Sequence, residues 1–169
     1  YYQETTGKEK PDNVAYLYIE TDENSKPASS LQRKHIKSCF ISLKDKSTTV
    51  NNIKERTDTT KWIPDIKILK NEGKAGAGGI PAYGRICLWD NQNYAEVRSK
   101  ITYTHQEISQ QANEEPTVFI VGSLAGGTGS GTFIDMAYIV KDIFSNTDEV
   151  YGVFMIPGKE KYHMDAIMY

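Results

Sequence analysis

The stretch from Thr117 to Thr132, TVFIVGSLAGGTGSGT, constrains the fold more than any other part of the chain. Thr117 to Gly122 is a short, almost continuously apolar run and reads as the best buried strand in the chain. A glycine-rich turn follows, and Ser130 to Ser145 then carries Phe133, Ala137, Val140 and Phe144 at helical spacing. Asn146 to Asp148 breaks that helix, and Val150 to Ile156 is a further strand closed by Pro157. Strand, glycine turn, helix, strand is the alternation of an α/β domain, with a parallel sheet covered on both sides.

The turn itself carries the chemistry. Gly126 to Thr132 holds four glycines and three hydroxyl residues in seven positions. At the carboxyl end of a strand and the start of a helix, unpaired amides and the helix dipole suit an anion. Glycines let phosphate oxygens approach the backbone, and Thr128, Ser130 and Thr132 add hydroxyl donors. The plainer alternative is a turn whose glycines only allow close packing. Two familiar phosphate motifs fail here. Gly127 has Thr132 where the dinucleotide fingerprint needs a glycine, and Gly126 is followed by Thr132 where a Walker loop needs lysine. Backbone amides, the dipole and a metal ion are left to meet the charge.

The rest of the chain is less sharply patterned. Val14 to Glu20 predicts another buried strand, ending in the acidic turn Glu20-Thr21-Asp22-Glu23-Asn24-Ser25. Over residues 26–62 strand and helix compete: Cys39, Ile41 and Leu43 alternate, while Leu31 to Ile36 suits a helix. Trp62-Ile63-Pro64, with Ile66, Ile68 and Leu69, predicts a short extended segment. Residues 73–84 form a loop with Gly73, Gly76, Gly78, Gly79 and Gly84. One helix is predicted from about Arg85 to Ala112, its core stripe made by Tyr94, Val97, Ile101 and Ile108 and its end set by Glu114-Glu115-Pro116. His105 lies in that stripe and reads as packed or exposed.

Composition removes several classes. With 20 Lys plus Arg against 22 Asp plus Glu, the net charge is -2, so neither nucleic-acid binding nor a polybasic membrane surface is expected. No apolar run approaches a membrane span, and no signal peptide opens the chain. Cys39 and Cys87, with His35, His105 and His163, give no zinc spacing, and a reducing cytoplasmic setting is the default.

Gly126-Gly127-Thr128-Gly129-Ser130-Gly131 matches the GGTGSG signature of the tubulin superfamily, which includes eukaryotic tubulins and the bacterial cell-division protein FtsZ. Ala125 stands where both usually have another glycine, and SLAGGTGSGTFIDMAYIVKDI resembles the divergent bacterial tubulin-like proteins more closely. Gly76-Ala77-Gly78-Gly79-Ile80-Pro81, then Gly84-Arg85, resembles the FtsZ loop GAGGNPEIGR, with Ile80 in place of asparagine. Glu20-Thr21-Asp22 resembles the loop near metal and phosphates, and Val150 to Pro157 resembles the strand whose loop borders the ribose.

The resemblance implies a Rossmann-like three-layer parallel sheet, the nucleotide-binding domain of a tubulin-type GTPase. It implies GTP or GDP with Mg²⁺ held by Gly126, Gly127, Thr128, Gly129, Ser130 and Gly131. Gly76, Ala77, Gly78 and Gly79 would face the terminal phosphate, and Asp22 would serve nucleotide and metal. It further implies head-to-tail filaments in which each subunit completes its neighbour's site, with hydrolysis coupled to disassembly. A non-catalytic nucleotide-binding scaffold is the alternative, and an unrelated α/β enzyme for a phosphorylated metabolite is the third. The expected organisation is a linker-like start over 1–13, a core over 14–157 and a tail over 158–169. Residues 1–13 do not match the family's first glycine-rich loop, and the family's acidic catalytic loop is not matched either. The chain is therefore expected to carry an incomplete domain that does not hydrolyse GTP alone.

Overall fold

The computed structural model describes residues 5–8, 11–25, 36–43, 46–56, 62–63, 76–112, 115–145 and 149–156. Strand β1 (Tyr16–Glu20) pairs in parallel with β2 (Ile36–Phe40), and β3 (Val118–Ser123) pairs in parallel with β4 (Val150–Met155). Between these ladders in sequence lie α1 (Lys46–Arg56), α2 (Pro81–Trp89) and α3 (Asn91–Ala112), and α4 (Gly127–Ile143) links β3 to β4.

One core serves both ladders. Leu17 and Ile19 of β1 pack against it, as do Val118 and Ile120 of β3. Cys39, Ile53, Ile86, Leu88 and Val97 are fully buried within it. The predicted stripe on α3 holds: Val97, Ile101 and Ile108 are buried, and Tyr94 packs at the edge. On α4, Met136, Ile139 and Val140 join the core, while Phe133 turns to β4 and meets Phe154 edge-on at 4.9 Å.

The parallel α/β pattern is thus present, but among the described residues the strands form two two-stranded ladders and not one three-layer sheet. Nor is β3 buried on both faces. Phe119 and Val121 are 61% and 69% exposed, and with Tyr151, Val153 and Met155 of β4 they make an apolar outer face. The physical reason is alternation: Val118, Ile120 and Val150 point to the core, so their neighbours point away from it. An apolar run cannot distinguish a strand covered twice from one covered once. No helix among the described residues is long and apolar enough to cross a membrane.

The single helix expected from Arg85 is two. Asp90 stops α2, its amide bonding to Ile86 O, and starts α3 by accepting from the amides of Gln92 and Asn93. An aspartate that accepts from the amides two and three residues on is an N-cap, which is why the chain turns there despite continuous helical periodicity. Its second carboxylate oxygen takes the Thr49 hydroxyl from α1, and buried Asn93 donates to Ser42 O and Cys87 O. Helix α1, β2's start at Ile36 and the turn at Trp62 resolve part of the ambiguous region. Leu31 to His35 and Pro64 to Leu69 lie outside the described residues.

Replacing Asp90 by Ala should cost about 1–2 kcal/mol, since it removes the α3 cap and the tie to Thr49 together. Urea unfolding, read as a drop in midpoint at unchanged slope, checks this. Burial, reinforced by the Glu96 carboxylate, pushes the Cys39 thiol from 9.0 up to about 11. The unfolded thiol ionises first, so this contribution is intact below pH 9 and is lost as pH rises towards 11. A Cys39→Ala comparison of unfolding midpoints across that window should isolate the loss.

Candidate nucleotide site at the start of α4

Three segments converge at the amino end of α4. The first is the end of β1, where the chain turns at Asp22: its side chain accepts from the Asn24 amide and its carbonyl from the Ser25 amide. The second is the turn at Gly76 to Ile80, closed by the Ile80 amide on Ala77 O. Gly76 sits at φ 63, and a Cβ there would come within 2.9 Å of both Thr21 Oγ1 and Asp22 Cβ. Only glycine meets both demands. The third is α4 itself, which begins at Gly127 with Gly126 as its N-cap, earlier than the Ser130 start expected.

A network of hydrogen bonds joins the three. The Ala77 amide donates to Thr21 Oγ1 at 2.8 Å, and Thr21 Oγ1 lies 2.7 Å from Thr128 Oγ1. The Thr128 hydroxyl donates to Glu20 Oε1 at 2.5 Å, and the same oxygen accepts the Thr21 amide at 2.7 Å. Thr21 Oγ1 also lies 3.2 Å from Glu20 Oε1, so both threonine hydroxyls can donate to this carboxylate oxygen, and either can donate to the other. Thr21 is buried at the centre of this set.

The glycines do more than open space for a ligand. A Cβ on Gly127 would fall 2.6 Å from Ala77 Cβ, one on Gly129 2.6 Å from Ser123 O, and one on Gly131 2.1 Å from Pro81 O. From the other side, a Cβ on Gly84 would meet Gly127 O at 2.1 Å. Helices α2 and α4 therefore touch backbone to backbone, and the packing alternative accounts for three of the four glycines in the motif. Gly126 differs, because a Cβ there meets nothing within 4 Å. It opens to space at the point where the helix amides lack partners. No side chain caps α4, and no acidic residue lies in its first turn.

The hydroxyls divide in the same way. Thr128 faces the β1 end, whereas Ser130 donates to Gly126 O and Thr132 to Thr128 O, back along the helix. The Ser130 and Thr132 protons are thus engaged within the helix and the Thr128 proton by Glu20, so all three hydroxyls read from sequence as donors are already engaged within the protein. Gly78, at φ 58, and exposed Gly79, at φ 79, complete the turn beside it. Arg85 lies one layer away. It forms a two-point ion pair with Asp135 of α4 (2.7 and 2.9 Å) and stacks 4.3 Å from the Trp62 ring. It braces the helix pair and does not reach the turn. His105 packs 4.3 Å from Phe144 and pairs with Glu115, away from the site.

Sequence reasoning put the segment Glu20-Thr21-Asp22 at the site by resemblance but singled out only Asp22 as a binding residue; it did not foresee the bonds of Glu20 and Thr21 to Thr128. The signal was available: Glu20 follows the alternation Leu17, Ile19 at the carboxyl end of a parallel strand, where an outward polar residue meets the ligand side of the sheet. Among the described residues no three His, Cys, Asp or Glu side chains cluster to hold a metal by themselves. A magnesium ion carried by a nucleotide needs only one or two carboxylates besides phosphate oxygens, and Glu20 and Asp22 suit that donor set.

A family model described as tubulin like matches residues 1–166. No curated protein and no solved structure gives a significant match.

The two kinds of glycine should separate experimentally. Gly131→Ala forces apart α2 and α4 and should lower stability by about 2 kcal/mol or more, as overpacking does. Gly126→Ala, at φ -103 and in open space, should cost less than about 1 kcal/mol. Thermal and urea unfolding of both variants would reverse this assignment if the order of stabilities came out the other way.

Proposed function

The chain belongs to the tubulin-like family, and from that premise we propose that it forms the guanine-nucleotide site of a protein that assembles head to tail and hydrolyses GTP as it does so. The observation that carries this is the meeting of three segments at the uncapped start of α4: the β1 end, the turn at Gly76 to Ile80 and Gly126. Amides of Gly127, Thr128, Gly129 and Ser130 are the donors for phosphate oxygens, supported by the dipole of α4. The turn carrying Gly76, Ala77, Gly78 and Gly79 is the proposed contact for the terminal phosphate. Glu20 and Asp22 are the carboxylates for Mg²⁺, which would supply charge neutralisation between phosphate groups.

Without a lysine in the motif, binding depends on backbone geometry. That geometry is fixed by the α2–α4 contact and by the bond chain through Thr21. Hydrolysis requires an acidic group to orient water, and in a head-to-tail filament the neighbouring subunit supplies it. The protein is proposed to work in the cytoplasm, with other copies of itself as its principal partners. No nucleic-acid partner is proposed, in keeping with its charge of -2.

The test uses the full-length protein. Nucleotide released on denaturation should be GDP or GTP, and GTP should outcompete ATP for the site. Sedimentation should recover polymer with GTP and Mg²⁺ but not with GDP. Bound nucleotide without polymer or turnover would select the scaffold reading in its place.

A further inference from the structure

We infer that Glu20 is a specificity-determining residue: its carboxylate is a resident rival for the start of α4, so an anionic ligand binds well only when a divalent cation comes with it. This rests on the nucleotide reading above. Glu20 belongs to β1, yet its Oε1 lies 2.5 Å from the hydroxyl of Thr128, the second residue of α4. The same oxygen holds the Thr21 amide, so the carboxylate is fixed from two sides. Helix α4 brings no side-chain cap and no acidic residue of its own to that end. Glu20 thus supplies from another element the negative charge that a helix start favours.

The same placement works against a phosphate. Two anions a few Å apart repel strongly where water is partly excluded. While Glu20 holds it, the single Thr128 proton cannot be offered to a ligand oxygen. Among the described residues no Lys, Arg or His pairs with Glu20; the nearby Arg85 is engaged by Asp135. Carboxylate and phosphate oxygens are the ligands magnesium takes together, so the cation turns Glu20 from rival to partner. Asp22, two residues on, has its carboxylate committed to the Asn24 amide and does not touch Thr128.

The experiment compares full-length wild type with Glu20→Gln, which keeps shape and removes charge. GDP is titrated by calorimetry in Mg²⁺ and in EDTA. In EDTA, Glu20→Gln should bind GDP about tenfold more tightly than wild type, and the gap should shrink in high salt. In Mg²⁺ the order should narrow or reverse. Glu20→Ala should repeat the EDTA gain, and melting temperatures without nucleotide establish that each variant is folded. Equal or weaker binding by both variants in EDTA overturns the inference while leaving the nucleotide site standing. No GDP binding by wild type or variants in either buffer overturns both.

Discussion

The backbone contact between α2 and α4 is the constraint from which the rest follows. Side chains normally hold helix axes 8–10 Å apart, and removing Cβ atoms at Gly84, Gly127 and Gly131 lets these two approach until Cα and carbonyl groups touch. Each glycine inside a helix weakens it by about 1 kcal/mol relative to alanine, so α4 is a poor helix on its own terms. Tertiary contact offsets that weakness. Because Pro81 sits in the first turn of α2, drawing α2 against α4 also brings the Gly76–Ile80 turn onto the start of α4. Packing and site geometry are one arrangement seen twice. The Arg85–Asp135 pair, roofed by Trp62, holds it from the flank.

That dual use explains why the motif misleads as well as informs when read along the chain. A run of glycines at a strand–helix junction announces an anion site, and it also announces a tight helix crossing. Only the position of each Cβ direction separates them. Gly126 points to open space; Gly127, Gly129 and Gly131 point into protein. Much of the fold was legible: β1, β3 and β4 follow from apolar runs, and the buried stripe of α3 from its spacing. The break at Asp90 was not, because periodicity continues through it and only the carboxylate's bonds to Gln92 and Asn93 reveal the cap. Helix α1 has almost no apolar stripe beyond Val50 and Ile53, so its sequence carries little helical signal.

The site was legible in its glycines and illegible in its polar contacts. Residues 107 and 108 positions apart in sequence, Thr21 with Thr128 and Glu20 with Thr128, are brought together by tertiary structure alone. No local pattern encodes such a meeting. Asp22 was the candidate because Glu20-Thr21-Asp22 resembles a loop near metal and phosphates, but one oxygen of its carboxylate serves the turn that places it. A side chain that shapes its own loop and one that reaches across the fold look alike in a string of letters.

Both ladders are parallel, and that has a consequence for how the polypeptide acquires its structure. Parallel neighbours cannot be brought together by a tight reverse turn; β3 finds β4 only after α4 has spanned the interval, and β1 must find β2 across the residues that separate them in sequence. Nucleation must therefore wait on distant encounters, which slows acquisition of the native state and lengthens the interval in which sticky strand surfaces such as Phe119 and Tyr151 meet other chains. During synthesis the β1–β2 ladder emerges well before β3 and β4, leaving Thr21 and Glu20 without Thr128 until α4 has also been made.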